Sequence, residues 1–107
     1  MSETLAKVQK LVLAGEVEVS QHGLFELAAD SILLDDVVAG IDAAIMVEEY
    51  AEARRGPSVL ALHYDRQGNG VHVVWGIPKE ADGPAVLITA YRPNAERWSE
   101  DLRRRKR

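Results

Sequence analysis

The sequence predicts an α+β fold, with helices packed on one face of an antiparallel sheet of three or four strands. Two observations carry that prediction. Apolar residues recur at helical spacing up to Ile41, then follow strand-like patterns from Ala44 onward. The strand-like segments succeed one another through short turns containing Gly, Asn and Pro, which favour antiparallel pairing. Helices gathered before such a meander suit a two-layer arrangement.

The elements follow in order. Ser2 is placed to cap a leading helix, and Leu5, Val8, Leu11 and Val12 fall on one stripe of it. Gly15 stops that helix, because glycine tolerates the left-handed conformation beyond a helix end. "EVEVS" alternates polar and apolar residues and suits a short strand. Ser20 then caps a second helix, on which Leu24, Leu27 and Ala28 share a face. Leu34 and Asp35 read as a hydrophobic staple and N-cap for a third helix through Val37, Val38 and Ile41. Asp36 in its first turn favours the positive end of the helix dipole.

"AIMVEEY" is expected to be an outer strand, with Glu48 and Glu49 discouraging unwanted pairing at the edge. "SVLALHYD" and "VHVVWGI" flank "RQGNG" and predict a hairpin. "AVLITAYRP" is the last strand and ends by Pro93, which lacks the N–H a ladder needs. Asn94 is placed to cap a closing C-terminal helix carrying Trp98 and Leu102.

The hairpin turn decides which side chains share a face. A six-residue loop sets His63 opposite His72, and a two-residue Gly68-Asn69 turn shifts the pairing by two positions. Both leave the two histidines on one open face, because an even shift preserves sidedness. Leu60, Leu62, Tyr64, Val71, Val73 and Trp75 then form the face under the helices. Two registers stay open for the last strand. One places Leu87, Thr89 and Tyr91 beside the histidines; the other places Val86, Ile88 and Ala90 there.

The chain has 107 residues, the size of one domain, with 47% hydrophobic and 28% charged residues. No apolar run is long enough to span a bilayer and no secretory signal is visible, so a cytoplasmic protein without a membrane partner is expected. The absence of cysteine excludes disulfides and thiolate metal sites. Residues 1–93 hold 7 Lys/Arg and 14 Asp/Glu, whereas residues 94–107 hold 6 and 3. The acidic body repels polyphosphate, and the basic tail 103–107 attracts it or an acidic protein. The plainer reading of that tail is a solvated, frayed end.

The residues also carry a resemblance. "S-x-H" at Ser20–His22, "DDV", "EEY", "PSVLALHYDRQGNGVHVVW", "ITAYRP" and "RW" together resemble a bacterial family of small domains of unknown function, distantly related to RelE/ParE-like toxins. The resemblance covers roughly residues 17–105. It implies a single RelE-like α+β domain over 1–107, linked to toxin–antitoxin partner binding or to RNA cleavage. By that correspondence the early family histidine is His22, the sheet histidine His72, and the conserved-pattern Tyr and Trp are Tyr91 and Trp98. Family members carry Arg on the helix after the early histidine, where this chain has Glu26 and Asp30. Losing those cations removes charge that RNA binding and phosphate chemistry use.

The candidate catalytic residues are therefore His22 or His72 as base, Tyr91 as acid and Arg92 as cation. His63, Thr89 and Trp98 are candidate binding residues. The plainer readings are a satisfied cross-strand His72, a packed Tyr91, and a His22 that locks a strand-to-helix corner. Zinc on His22, His63 and His72 lacks ligand spacing in the sequence, so neither a metal nor a cofactor is expected. The expected activity is partner binding without efficient catalysis, by an antitoxin-like protein, a second copy, or nucleic acid on the basic tail. The alternative is an mRNA-cleaving ribonuclease.

Overall fold

The computed structural model describes residues 2–106. Its elements are α1 (Glu3–Leu13), β1 (Val17–Val19), α2 (Gln21–Ala29), α3 (Leu34–Ala39), a 3₁₀ turn (Ile41–Ala43), β2 (Ile45–Tyr50), β3 (Ser58–Tyr64), β4 (Gly70–Gly76) and β5 (Ala85–Tyr91). The sheet has five strands in the order β1-β5-β4-β3-β2. β2 to β5 pair antiparallel, while β1 runs parallel to β5. The fold is α+β as expected, but the sheet is mixed and larger than three or four antiparallel strands.

Local chemistry explains most of the boundaries. The Ser2 hydroxyl accepts from the Leu5 N–H at 3.0 Å and starts α1, and Gly15 ends it with a φ of 79°. Ser20 accepts from the Gly23 N–H at 2.9 Å and donates to the Ile88 carbonyl at 2.8 Å, so it caps α2 and ties it to β5. α3 differs from the expectation. Leu34 is inside the helix, Leu33 is at the cap position without a side-chain bond, and Asp35 and Asp36 occupy the first turn. There they complement the helix dipole without capping it.

The β3–β4 loop runs from Asp65 to Asn69. The Asp65 carboxylate accepts from the N–H groups of Gln67 and Asn69, both at 2.9 Å, and Gly68 has a φ of 81°. Asp65 therefore belongs to the turn, and five loop residues pair Tyr64 with Gly70, His63 with Val71 and Leu62 with His72. The shift from the expected register is odd. It sends His63 and His72 to opposite faces and overturns the shared histidine face.

One face, covered by the helices, carries Val59, Ala61, His63, Val71, Val73 and Trp75 against Leu5, Val8, Val12, Val37 and Ile41. Leu60, Leu62 and Tyr64, expected on this face, lie on the other. In β5 a bulge at Ile88 switches sidedness: Leu87 packs with Trp75 in the core, while Thr89 pairs with Val74 and Tyr91 with His72. Neither uniform register of the last strand holds along its length.

No closing helix forms after Pro93. Asn94 takes the Glu96 N–H on its side-chain oxygen, at 2.8 Å, and its carbonyl accepts from Arg97 and Trp98. Instead of continuing, the chain folds back. Trp98 and Arg105 bridge antiparallel, and the Lys106 N–H donates to the Arg97 carbonyl at 2.7 Å. Residues 94–106 form a strap across the face opposite the helices. The expected basic tail is thus ordered as far as Lys106, and Arg107 lies outside the described residues. Among those residues no helix is long and apolar enough to cross a membrane.

Candidate functional site

The strap and the end of β5 form a cleft of about 290 Å³ lined by Tyr91, Arg92, Asn94, Arg97, Trp98 and Arg105. His72 lies buried beneath two of these side chains, Tyr91 and Trp98. Alternation along β4 directs this imidazole away from the helices, and the β5 bulge brings Tyr91 beside it. Trp98, 4% exposed, stands edge-on to the His72 ring with centroids 4.4 Å apart.

Hydrogen bonding sets the state of His72. Nε2 lies 2.7 Å from the Leu102 carbonyl, which can only accept, so Nε2 carries the hydrogen. Nδ1 is then the acceptor for the Tyr91 hydroxyl at 3.2 Å. Burial holds the His72 pKa below the ordinary histidine value. The Leu102 carbonyl opposes that shift, and the nearby Arg105 charge reinforces it. Burial also pushes the Tyr91 phenol up. The pair is a neutral imidazole accepting from a neutral phenol.

Arg105 closes the strap. Its guanidinium donates to both Glu48 oxygens, at 2.9 and 3.1 Å, and lies 4.7 Å from the Trp98 ring centroid. The Arg105 bond holds the Glu48 carboxyl below its usual range, and the Tyr50 hydroxyl also donates to it. Glu48 and Tyr50 are two apart on β2, so both point to this face.

The sequence-derived candidates divide clearly. His72, Thr89, Tyr91 and Trp98 share the strap-covered face. Arg92 lines the cleft, but its guanidinium is engaged by Asp65 at 3.1 Å and by the carbonyls of Asp30 and Ser31. Its backbone N–H donates to the Asp30 carboxylate at 2.9 Å, which gives Asp30 a structural role. His63 is buried on the helix side, where its Nε2 accepts from the Trp75 indole at 3.1 Å. His63 Nδ1 has no hydrogen-bond partner, although the Val37 backbone lies nearby.

His22 is exposed on α2 and meets only the Glu26 carboxylate, at 3.9 Å. It does not lock the corner; Ser20 does. Three imidazoles spread over two sheet faces and a helix do not form a metal site, and among the described residues no three His, Asp or Glu side chains cluster as ligands. Sequence reasoning missed Glu48 and Arg105, whose charges act on His72, Tyr50 beside Glu48, and Asn94 and Arg97 in the cleft. The Glu-x-Tyr spacing was the one local signal, since it places both side chains on one face of a strand.

A five-stranded mixed sheet with helices on one face and a strapped His-Tyr pair on the other defines a small α+β domain. The chain belongs to a family described as a domain of unknown function, DUF4258, whose sequence model matches residues 19–92. The match includes His72 and Tyr91 and ends at Arg92, before the strap. No curated protein and no solved structure matches the chain.

Proposed function

We propose that this protein is a cytoplasmic, RelE-like partner-binding domain of the bacterial toxin–antitoxin kind that does not cleave RNA efficiently. The observation that carries this reading is the state of His72. Both ring nitrogens are engaged, and Trp98 and the Leu102 carbonyl close over the ring. A general base needs a bare nitrogen within reach of the proton it takes. Of the three arginines that line the cleft, Arg92 is engaged by Asp65 and Arg105 by Glu48, which leaves Arg97 as the one without an ion pair among the described residues. The acidic helices α2 and α3 supply no compensating positive charge.

Incubating the purified full chain with mRNA and with ribosomes tests the reading. No cleavage is expected. Cleavage that His72→Ala and Tyr91→Phe both abolish would establish the second reading, a ribonuclease. One observation favours that alternative: Tyr91, bonded to His72 beneath it, lines a cleft walled by three arginines, of which Arg97 has no ion pair among the described residues.

A further inference from the structure

α2 is held to the sheet along a narrow line. Gly23 is buried so close to β5 that a Cβ there would lie 2.7 Å from the Leu87 carbonyl oxygen, and Leu27 enters the core. The opposite side of the helix is apolar and open. Leu24 is 62% exposed and Phe25 69%, Ala28 is exposed one turn on, and Leu33 just beyond the helix is 58% exposed. Large side chains grouped this way on a surface mark an interaction site.

The elements beside this face are predominantly acidic. Residues 16–42, which hold β1, α2 and α3, contain seven carboxylates and no Lys or Arg, and Arg55 lines a cavity with Ser20 at the start of α2. Glu26 follows Phe25 on α2 and Asp35 lies two positions beyond Leu33, and among the described residues neither pairs with a Lys or Arg. Arg92 reaches the end of α2 from β5 but is engaged by Asp65 and by carbonyls. Two such faces meeting symmetrically would set like charges against each other.

We propose that the outer face of α2 docks a cationic amphipathic segment of a partner protein. Phe25 and Leu24 anchor its apolar side, and Glu26 and Asp35 select its charge. This rests on the partner-binding reading and names the surface and the class of partner.

The test uses the isotopically labelled full chain and a synthetic amphipathic peptide of leucine and lysine. A counterpart peptide with glutamate in place of lysine serves as control. The lysine peptide is expected to shift the amide resonances of Leu24, Phe25, Ala28 and Leu33, and the glutamate peptide to leave them unchanged. Added salt weakens the binding. Phe25→Gln weakens it about tenfold, as loss of an aromatic anchor does, while the fluorescence of the buried Trp75 and Trp98, which reports the fold, stays the same.

Equal binding of both peptides, shifts confined to β2 or the strap, or an unchanged affinity in Phe25→Gln would each overturn the proposal. So would self-association of the chain that Phe25→Gln abolishes, since the occupant would then be a second copy. RNA cleavage would remove the binding-only reading without touching the peptide result. Peptide failure without cleavage would remove this docking surface alone.

Discussion

The Trp75 indole donates to His63 Nε2 inside the helix-covered core, so the imidazole is held there as an acceptor. Burial lowers the His63 pKa from 6.5 to about 4, against a smaller opposing effect of the Val37 backbone. Between those two values the unfolded chain binds a proton that the folded chain refuses. Stability from this residue is therefore full above pH 6.5 and is lost as pH falls toward 4, by about 3 kcal/mol in all. Urea midpoints measured across that range should fall with pH, and His63→Gln should flatten the fall by keeping an acceptor for Trp75 without a titrating group. The His72 shift has the same sign, so part of the slope persists in that variant.

Arg105→Ala should release the strap while leaving the sheet folded. An exposed ion pair contributes at most about 1 kcal/mol, so the thermal midpoint should move little. His72 should lose cover and the Arg105 charge together, and its pKa should rise toward the ordinary value. Proton NMR titration and the rate of imidazole acylation measure both changes. A His72 as protected as in the parent chain would show that Trp98 and Leu102 hold the strap unaided.

Gly70→Ala should open the same strap from beneath. A Cβ at Gly70 would run into the Leu102 side chain, closer than real Cβ contacts come. The obstacle is the tip of a flexible side chain, so the strap yields before β4 does. Amide exchange at Leu102 and Lys106 should speed up, with exchange in β3 and β4 unchanged.

Gly23→Ala should destabilise the fold although alanine is the better helix former by up to ~1 kcal/mol. The added methyl meets the Leu87 carbonyl at 2.7 Å and the Leu87 side chain at 2.9 Å. Forcing α2 off β5 costs about 1–3 kcal/mol, so the clash outweighs the propensity. A denaturation midpoint equal to or above the parent's would contradict this contact.

Ser20→Ala removes the α2 cap and the bond to the Ile88 carbonyl at once. The expected loss is about 1–2 kcal/mol. Ser20→Asp should restore the cap but not the donated bond, since a carboxylate has no hydrogen to give Ile88. Comparing the two variants separates capping from the tie to the sheet.

The caps at Ser2 and Ser20, the Gly15 stop, the outer position of β2 and the meander were all legible in the residues. Each depends on neighbours only a few positions away. The histidine faces were not. The Asp65 carboxylate gathers the Gln67 and Asn69 N–H groups and closes the loop at five residues instead of six, which brings Gly70 into β4. One residue is enough to exchange faces along a strand. The Ile88 bulge is equally silent in the sequence.

The strap failed as a helix because Asn94 turns the chain at once and because Trp98, Leu102 and Arg105 find long-range partners on β4 and β2. Those partners also explain why Arg105 looked like part of a solvated tail. His72 and Tyr91 were found because alternation from Trp75 and the Thr-x-Tyr spacing are local. Glu48 and Arg105 come together only through the completed sheet.

The parallel pairing of residues 17–19 with residues 85–87 bears on how the chain is made. During synthesis β1 and α2 emerge well before the strand they join. Until residue 87 clears the ribosome, β1 has no ladder and Gly23 has no Leu87 to rest on. β1 and α2 therefore gain their ladder and their support only once β5 has emerged, and Leu24 and Phe25 travel through that interval on a helix without its own sheet.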